Sequence, residues 1–235
     1  MNEEMVVGVL GGMGTYATVN MFKKFADVFE AEKEWDRPRI IIDNRCTMPS
    51  RVLAFMEGKD KDLLITQMEE SLTYLQNGGA NRIILACNTS HLFLKDVYVI
   101  NPTLESNIVS IIDACVKTVA AKKEIRSVNL LASEGTIESR VYQEAFDKLG
   151  IDCIAPLRQD YKTLRYCIEA VKQNKYSESV KEAFISLFNK EGVYILGCTE
   201  LPILYDRYSE SLEGVEVIDP LESALRKIHN EFINR

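Results

Sequence analysis

Basic charge is what this chain of 235 residues is short of: 28 Lys and Arg stand against 35 Asp and Glu, a formal net charge of −7. With no basic stripe to neutralise phosphates, a nucleic-acid or anionic-membrane surface is excluded as the main partner. Long apolar runs are missing as well, since no uninterrupted apolar stretch approaches the roughly 18 residues a membrane span needs. Histidine is nearly absent. Two histidines and six scattered cysteines give no paired C-x-x-C or H-x-x-x-H spacing, so no metal site is expected. The acidic start, whose apolar run is broken by Gly8, Gly11 and Gly12, does not read as a signal peptide. A cytoplasmic protein with reduced thiols at Cys46, Cys87, Cys115, Cys153, Cys167 and Cys198 is therefore expected. What remains is an ordinary globular composition, 46% hydrophobic, with a small molecule as the default partner.

Short β-branched runs at 6–10, 39–43, 82–86, 127–132, 151–155 and 193–197 alternate with amphipathic stretches, which predicts an α/β fold with parallel strands. The first helix is expected over 15–33, burying Val19, Phe22, Phe25 and Phe29. A second, over 60–77, should bury Leu64, Met68, Leu72 and Leu75 and stop at Asn77, Gly78 and Gly79.

The chain also repeats itself. VVGVLGGMGT (6–15) lines up with SVNLLASEGT (127–136), RIILACNT (82–89) with VYILGCTE (193–200), and more weakly SIID (110–113) with EVID (216–219). These pairs predict two pseudo-symmetric parallel-sheet α/β domains of flavodoxin-like type with the active site in the cleft between them. The N-terminal domain is expected to comprise 1–113 plus a final helix at about 219–235, and the C-terminal domain 114–218.

Ligands of parallel α/β sheets bind at the carboxyl ends of the strands. Cys87 and Cys198 sit at matched positions there. Inverting a carbon stereocentre by proton transfer requires a base on one face and an acid on the other, and two symmetric thiols can exchange those roles. A helix N-terminus following each cysteine would favour its thiolate. Asn88 and Thr89 in one half and Thr199 in the other can donate hydrogen bonds to a substrate carboxylate. Cys115, Cys153 and Cys167 read as buried packing.

At these residues the chain resembles the cofactor-independent aspartate/glutamate racemase superfamily, on its aspartate racemase branch. GGMGTYAT (11–18), ACNTSH (86–91) and GCTELP (197–202) are similar to its three signatures. The resemblance implies racemisation without pyridoxal phosphate or other cofactor, with Cys87 and Cys198 as the acid/base pair, a small acidic amino acid as substrate, and a homodimer. Glutamate racemases carry Asp-Ser-Gly at the first signature and Cys-Thr-His at the last. GGMG with Met13, and Cys198-Thr199-Glu200, favour aspartate or a related acid.

The family's Ile-Pro-Asp-Arg loop is matched by Met48-Pro49-Ser50-Arg51, which makes Arg51 the candidate for the distal carboxylate. Asn44, before that loop, and Lys172 resemble polar family positions lining the cleft. Arg45 and Ser50 depart from the family's pattern. His91 is open between tuning Cys87 and a packing contact, and Glu200 between setting the site's charge and capping the following helix. His229 is expected at the surface.

Alternatives remain within and outside this reading. Hydantoin racemases and maleate isomerases of the superfamily also use two cysteines. Gly12-Met13-Gly14-Thr15-Tyr16-Ala17 after a strand fits a dinucleotide-binding G-x-G-x-x-A turn, with Asp43 in the place of the ribose-binding acid. A two-lobed amino-acid-binding protein is the non-enzymatic option.

Overall fold

The computed structural model describes residues 4–188, 191–212 and 214–234. Its N-terminal half runs β1 (Val6–Gly11), α1 (Thr15–Val28), β2 (Arg39–Asn44), α2 (Arg51–Glu57), α3 (Lys61–Asn77), β3 (Arg82–Leu85), α4 (Leu94–Ile100) and α5 (Ile111–Ala120). The C-terminal half runs β4 (Ser127–Ala132), α6 (Glu134–Glu138), α7 (Val141–Asp147), β5 (Asp152–Ile154), α8 (Tyr161–Lys172), α9 (Glu178–Ile185), β6 (Gly192–Gly197), α10 (Leu201–Tyr208) and β7 (Val215–Ile218), after which comes the final helix α11 (Pro220–Ile233). No described helix is long and apolar enough to cross a membrane.

Two parallel sheets result, β2-β1-β3 and β5-β4-β6-β7. The missing fourth position of the first sheet is held by a single bridge, Ile83 to Ile108, so both halves follow one strand order. This corrects the weakest repeat pair. Ser110 caps α5 and Asp219 caps α11, each side chain accepting a backbone N–H, so Ser110 rather than Asp113 is the counterpart of Asp219. The pairing SIID with EVID is out of register by three residues.

Alternation along β1 divides the core. Val7 and Val9 join one cluster, and Val6 and Leu10 another with Leu64, Met68, Leu72 and Leu75 of α3. Gly8 lies on the second face, where a Cβ would come 2.8 Å from that of Ala80. The first cluster is continuous across both halves: Val7, Val9 and Phe25 share it with Leu130, Ile195 and the α11 residues Leu225 and Ile228. Helix α11 packs on α1, α5 and β6, and so bridges the two sheets.

Helix α1 departs from expectation in two ways. It ends at Val28, where Phe29 leaves helical geometry while its N–H bonds back to Phe25. Its buried stripe is Ala17, Thr18, Met21 and Phe25, so Val19 and Phe22 lie on the opposite face, 61% and 49% exposed. His229 is only part-exposed, and its ring meets Phe29 edge-on at 5.2 Å.

Candidate active site

The carboxyl ends of β3 and β6 converge. Cys87 follows β3 by two residues and Cys198 follows β6 directly, and both line one cavity of about 70 Å³. Met13, Ser50, Arg51, Val52, Asn88, Thr89, Ser133, Ile168, Lys172, Gly197, Thr199 and Glu200 complete its wall. A wider cleft of about 450 Å³ between α2, α6 and α8 shares Ser50, Val52, Ser133, Ile168 and Lys172 with it, which provides an approach from solvent. All six cysteines are free.

Eight of the nine residues singled out from sequence meet at this cavity; Asn44 does not. Its amide Nδ2 donates to Cys46 Sγ at 3.2 Å and reaches Thr15 Oγ1 at 3.5 Å, outside the cavity wall. Arg45 also turns away, pairing with Glu70 at 2.7 Å and bonding Gln67 O and Ser71 on α3. Its backbone lies so close to Gly12 (φ 80°) that any side chain there would collide with it.

Ser50 has a local explanation. It is the N-cap of α2, its hydroxyl accepting from Leu53 N–H at 3.3 Å, and serine performs that task about as well as aspartate. Arg51 thus opens a helix over the cavity. Its Nη1 donates to Pro49 O at 2.9 Å and its Nη2 to Met13 O at 3.0 Å, while Nε is buried without a partner. No described carboxylate pairs with it. Lys172, at the end of α8, pairs with Glu169 at 2.8 Å. Burial opposes its charge, but the Glu169 bond and the nearby Glu200, Glu169 and Cys198 outweigh that and raise its pKa.

Each cysteine turn is tied to the opposite half. Thr89 Oγ1 bonds Ser133 Oγ at 3.0 Å and Thr136 Oγ1 at 2.9 Å, and Thr199 Oγ1 donates to Ala86 O at 3.2 Å. The two threonine hydroxyls are thus engaged within the protein. His91 braces the Cys87 turn from behind: its Nε2 accepts from Ile111 N–H at 3.3 Å, which leaves Nδ1–H to donate to Cys87 O at 3.0 Å. Burial lowers its pKa to about 4 against the opposing pull of the Cys87 carbonyl and Asp113.

The halves differ in their electrostatics. Glu200, only 2% exposed, makes no side-chain cap on α10; its Oε2 accepts the Cys198 thiol at 3.0 Å, and its Oε1 is buried without a partner. The carboxylate lies against Gly14 at the start of α1, where any side chain would strike it, much as one at Gly135 would press on Thr89 in the other half. Burial, Glu200 and Cys87 push the Cys198 thiol well up, with Lys172 opposing. The thiolate preference expected from a helix N-terminus is therefore overridden at Cys198. The same carboxylate stands where a dinucleotide pyrophosphate would approach α1, which argues against the G-x-G-x-x-A reading.

Sequence reasoning had not placed Ser50, Val52, Ser133 or Ile168 on the cavity. Two of them carried a signal: Ser50 stands beside Arg51 in the loop that resembles the family's, and Ser133 is the repeat partner of Gly12 in the turn after the first strand of each half.

Comparison with known proteins agrees with this architecture. Residues 10–228 match the Asp/Glu/Hydantoin racemase family, and the chain belongs to that family. The structure of Picrophilus torridus aspartate racemase superposes with a TM-score of 0.81, at 26% identity over 97% of this chain and 98% of that one. A broad specificity amino-acid racemase, RacX, from Bacillus subtilis (strain 168) is 24% identical over 90% of this chain and 92% of its own length. Glutamate racemase from Aquifex pyrophilus is 25% identical over 73% of this chain, which spans 66% of that relative's length.

Proposed function

We propose that this protein is an amino-acid racemase that interconverts L- and D-aspartate, and more weakly glutamate, without pyridoxal phosphate. The observation that carries this reading is that Cys87 and Cys198, at equivalent strand ends of two similar halves, line one small cavity. One sulfur, as thiolate, takes the α-proton on its face of the substrate, and the other, as thiol, returns a proton to the opposite face. The next turnover from the product enantiomer reverses the roles.

Proton transfer is difficult because a thiol of ordinary pKa about 8.5 must deprotonate a carbon beside a carboxylate. Charge that develops on that carboxylate needs fixed donors, and the unpartnered Asn88 Nδ2 is one. The Cys198 thiol hydrogen-bonded to Glu200 reads as the acid of the resting enzyme. Arg51, with a cation free of carboxylate partners and an unused Nε, suits the distal carboxylate of an acidic substrate. A volume of about 70 Å³ favours a compact ligand, and the similarity to an aspartate racemase points the same way. Association into a homodimer is part of the proposal; Tyr16, Val19 and Phe22 give α1 an exposed apolar face suited to it.

The test is incubation of single enantiomers of aspartate and glutamate in deuterium oxide without cofactor. Loss of optical purity with one deuterium at the α-carbon, unaffected by EDTA, is the expected result. Ligand binding without α-exchange, or a reaction that requires NAD, would overturn the proposal.

A further inference from the structure

Asn88 follows Cys87 directly, lines the cavity and is 2% exposed. Its side-chain amide is half used. The Oδ1 accepts from the Tyr142 hydroxyl at 2.5 Å, whereas Nδ2 is buried with no partner at all. Tyr142 is fully buried on α7 of the opposite half, its ring stacked on Phe146. Burial, with Cys115 and Asp219 adding to it, pushes the phenol well above its usual range, so the hydroxyl stays a donor across the working pH range.

A terminal amide has two orientations of nearly equal shape, and only its oxygen can accept a phenol proton. The phenol oxygen could also accept an N–H from a flipped amide, but that would leave the buried Tyr142 proton without Oδ1, the acceptor it has here, and turn Oδ1 toward the cavity; the observed orientation satisfies that proton, committing Oδ1 and leaving the two N–H bonds of Nδ2 unspent. A buried donor without a partner is disfavoured unless a ligand satisfies it. The ligand class that does so beside Cys87 is an anion with lone pairs to spare, such as a carboxylate.

Resting on the racemase reading, we propose that Tyr142 is a positioning residue that locks the Asn88 amide with Nδ2 presented to the substrate carboxylate. Carboxylate recognition on the Cys87 side thereby depends on a residue of the other half. The turn itself does not depend on this bond, because Thr89 is held independently by Ser133 and Thr136. Tyr142→Phe should consequently fold with the turn in place and lose only the amide's orientation.

A double-mutant cycle tests this, with calorimetric binding of succinate as one readout and racemisation kinetics as the other. Tyr142→Phe should weaken succinate roughly tenfold, the loss of about one net hydrogen bond, and should raise KM more than it lowers kcat. Asn88→Ala should weaken it at least as much, and adding Tyr142→Phe to Asn88→Ala should change nothing further. Asn88→Asp should bind more weakly than Asn88→Ala, because Tyr142 would hold one oxygen and leave the other facing the ligand carboxylate. Equal effects of Tyr142→Phe with and without Asn88 would overturn the proposal and assign the hydroxyl to folding alone, as would wild-type protein that binds no succinate. A wild type that shows this binding pattern but racemises nothing would refute the racemase reading and leave the amide lock standing. Racemisation with an additive cycle would do the reverse.

Discussion

His91 offers a prediction whose size can be worked out. Its ring is neutral in the folded protein, with a pKa lowered to about 4 by burial, and in that state Nε2 accepts from Ile111 N–H. In the unfolded chain the ordinary value of about 6.5 returns. Between these values the unfolded state binds the extra proton, so stability is complete above about pH 6.5 and is lost as pH falls toward 4. A separation of about 2.5 units puts the loss near 2 kcal/mol by pH 5 and near 3 kcal/mol by pH 4. The assay is urea unfolding from pH 7.5 to 4.5 for wild type and His91→Gln, which cannot take up the proton. Carboxylates elsewhere titrate in both proteins, so the difference between the curves isolates the imidazole. It should narrow by about 2 kcal/mol on going from pH 7 to pH 5. Parallel curves would refute the claim that the ring is held neutral, and with it the brace on Cys87.

Cys87→Ser and Cys198→Ser should each fold and each lose racemisation by orders of magnitude, while eliminating HCl from opposite enantiomers of a β-chloro amino acid; a shared preference would refute thiols on opposite faces. Arg51→Ala should weaken acidic substrates by roughly one to two decades, about 1.5–3 kcal/mol, and spare alanine, with binding of both measured by calorimetry. Equal losses would mean that the guanidinium acts only by holding the Met13 and Pro49 carbonyls. Glu200→Gln should lower the pKa of Cys198, because a negative charge that now raises it is removed. Alkylation of that thiol by iodoacetamide, followed by peptide mass spectrometry, should then reach half-rate at lower pH than in wild type, and an unchanged profile would contradict the contact.

Much of this was legible without coordinates because parallel α/β architecture writes itself into local pattern. A strand buried on both faces is a continuous apolar run, so β3 and β6 stand out, and the residues just past such a run lie at the ligand-binding end. Repetition of that pattern singled out Cys87 and Cys198 together. Periodicity did as well for α3, whose four expected core residues are all fully buried. It failed on α1, because a helix with apolar residues around much of its circumference does not reveal which stripe the sheet will cover, and Val19 and Phe22 remained outside.

Tertiary structure alone decided which polar groups are spent. Asn44 and Arg51 flank one loop, yet Arg51, opening α2 after the cap at Ser50, reaches the cavity, whereas Asn44 is bonded to Cys46 outside it. Glu200 offered a cap or a charge with equal plausibility. Only the approach of the α1 N-terminus, possible because position 14 is glycine, leaves that carboxylate on the Cys198 thiol. Tyr142 is 54 residues from Asn88 and carries no motif. Local sequence determines where strands end and helices begin, since those depend on neighbours a few bonds away. Hydrogen bonds between halves depend on how two separately formed sheets are seated by α11, and no local pattern encodes that distance.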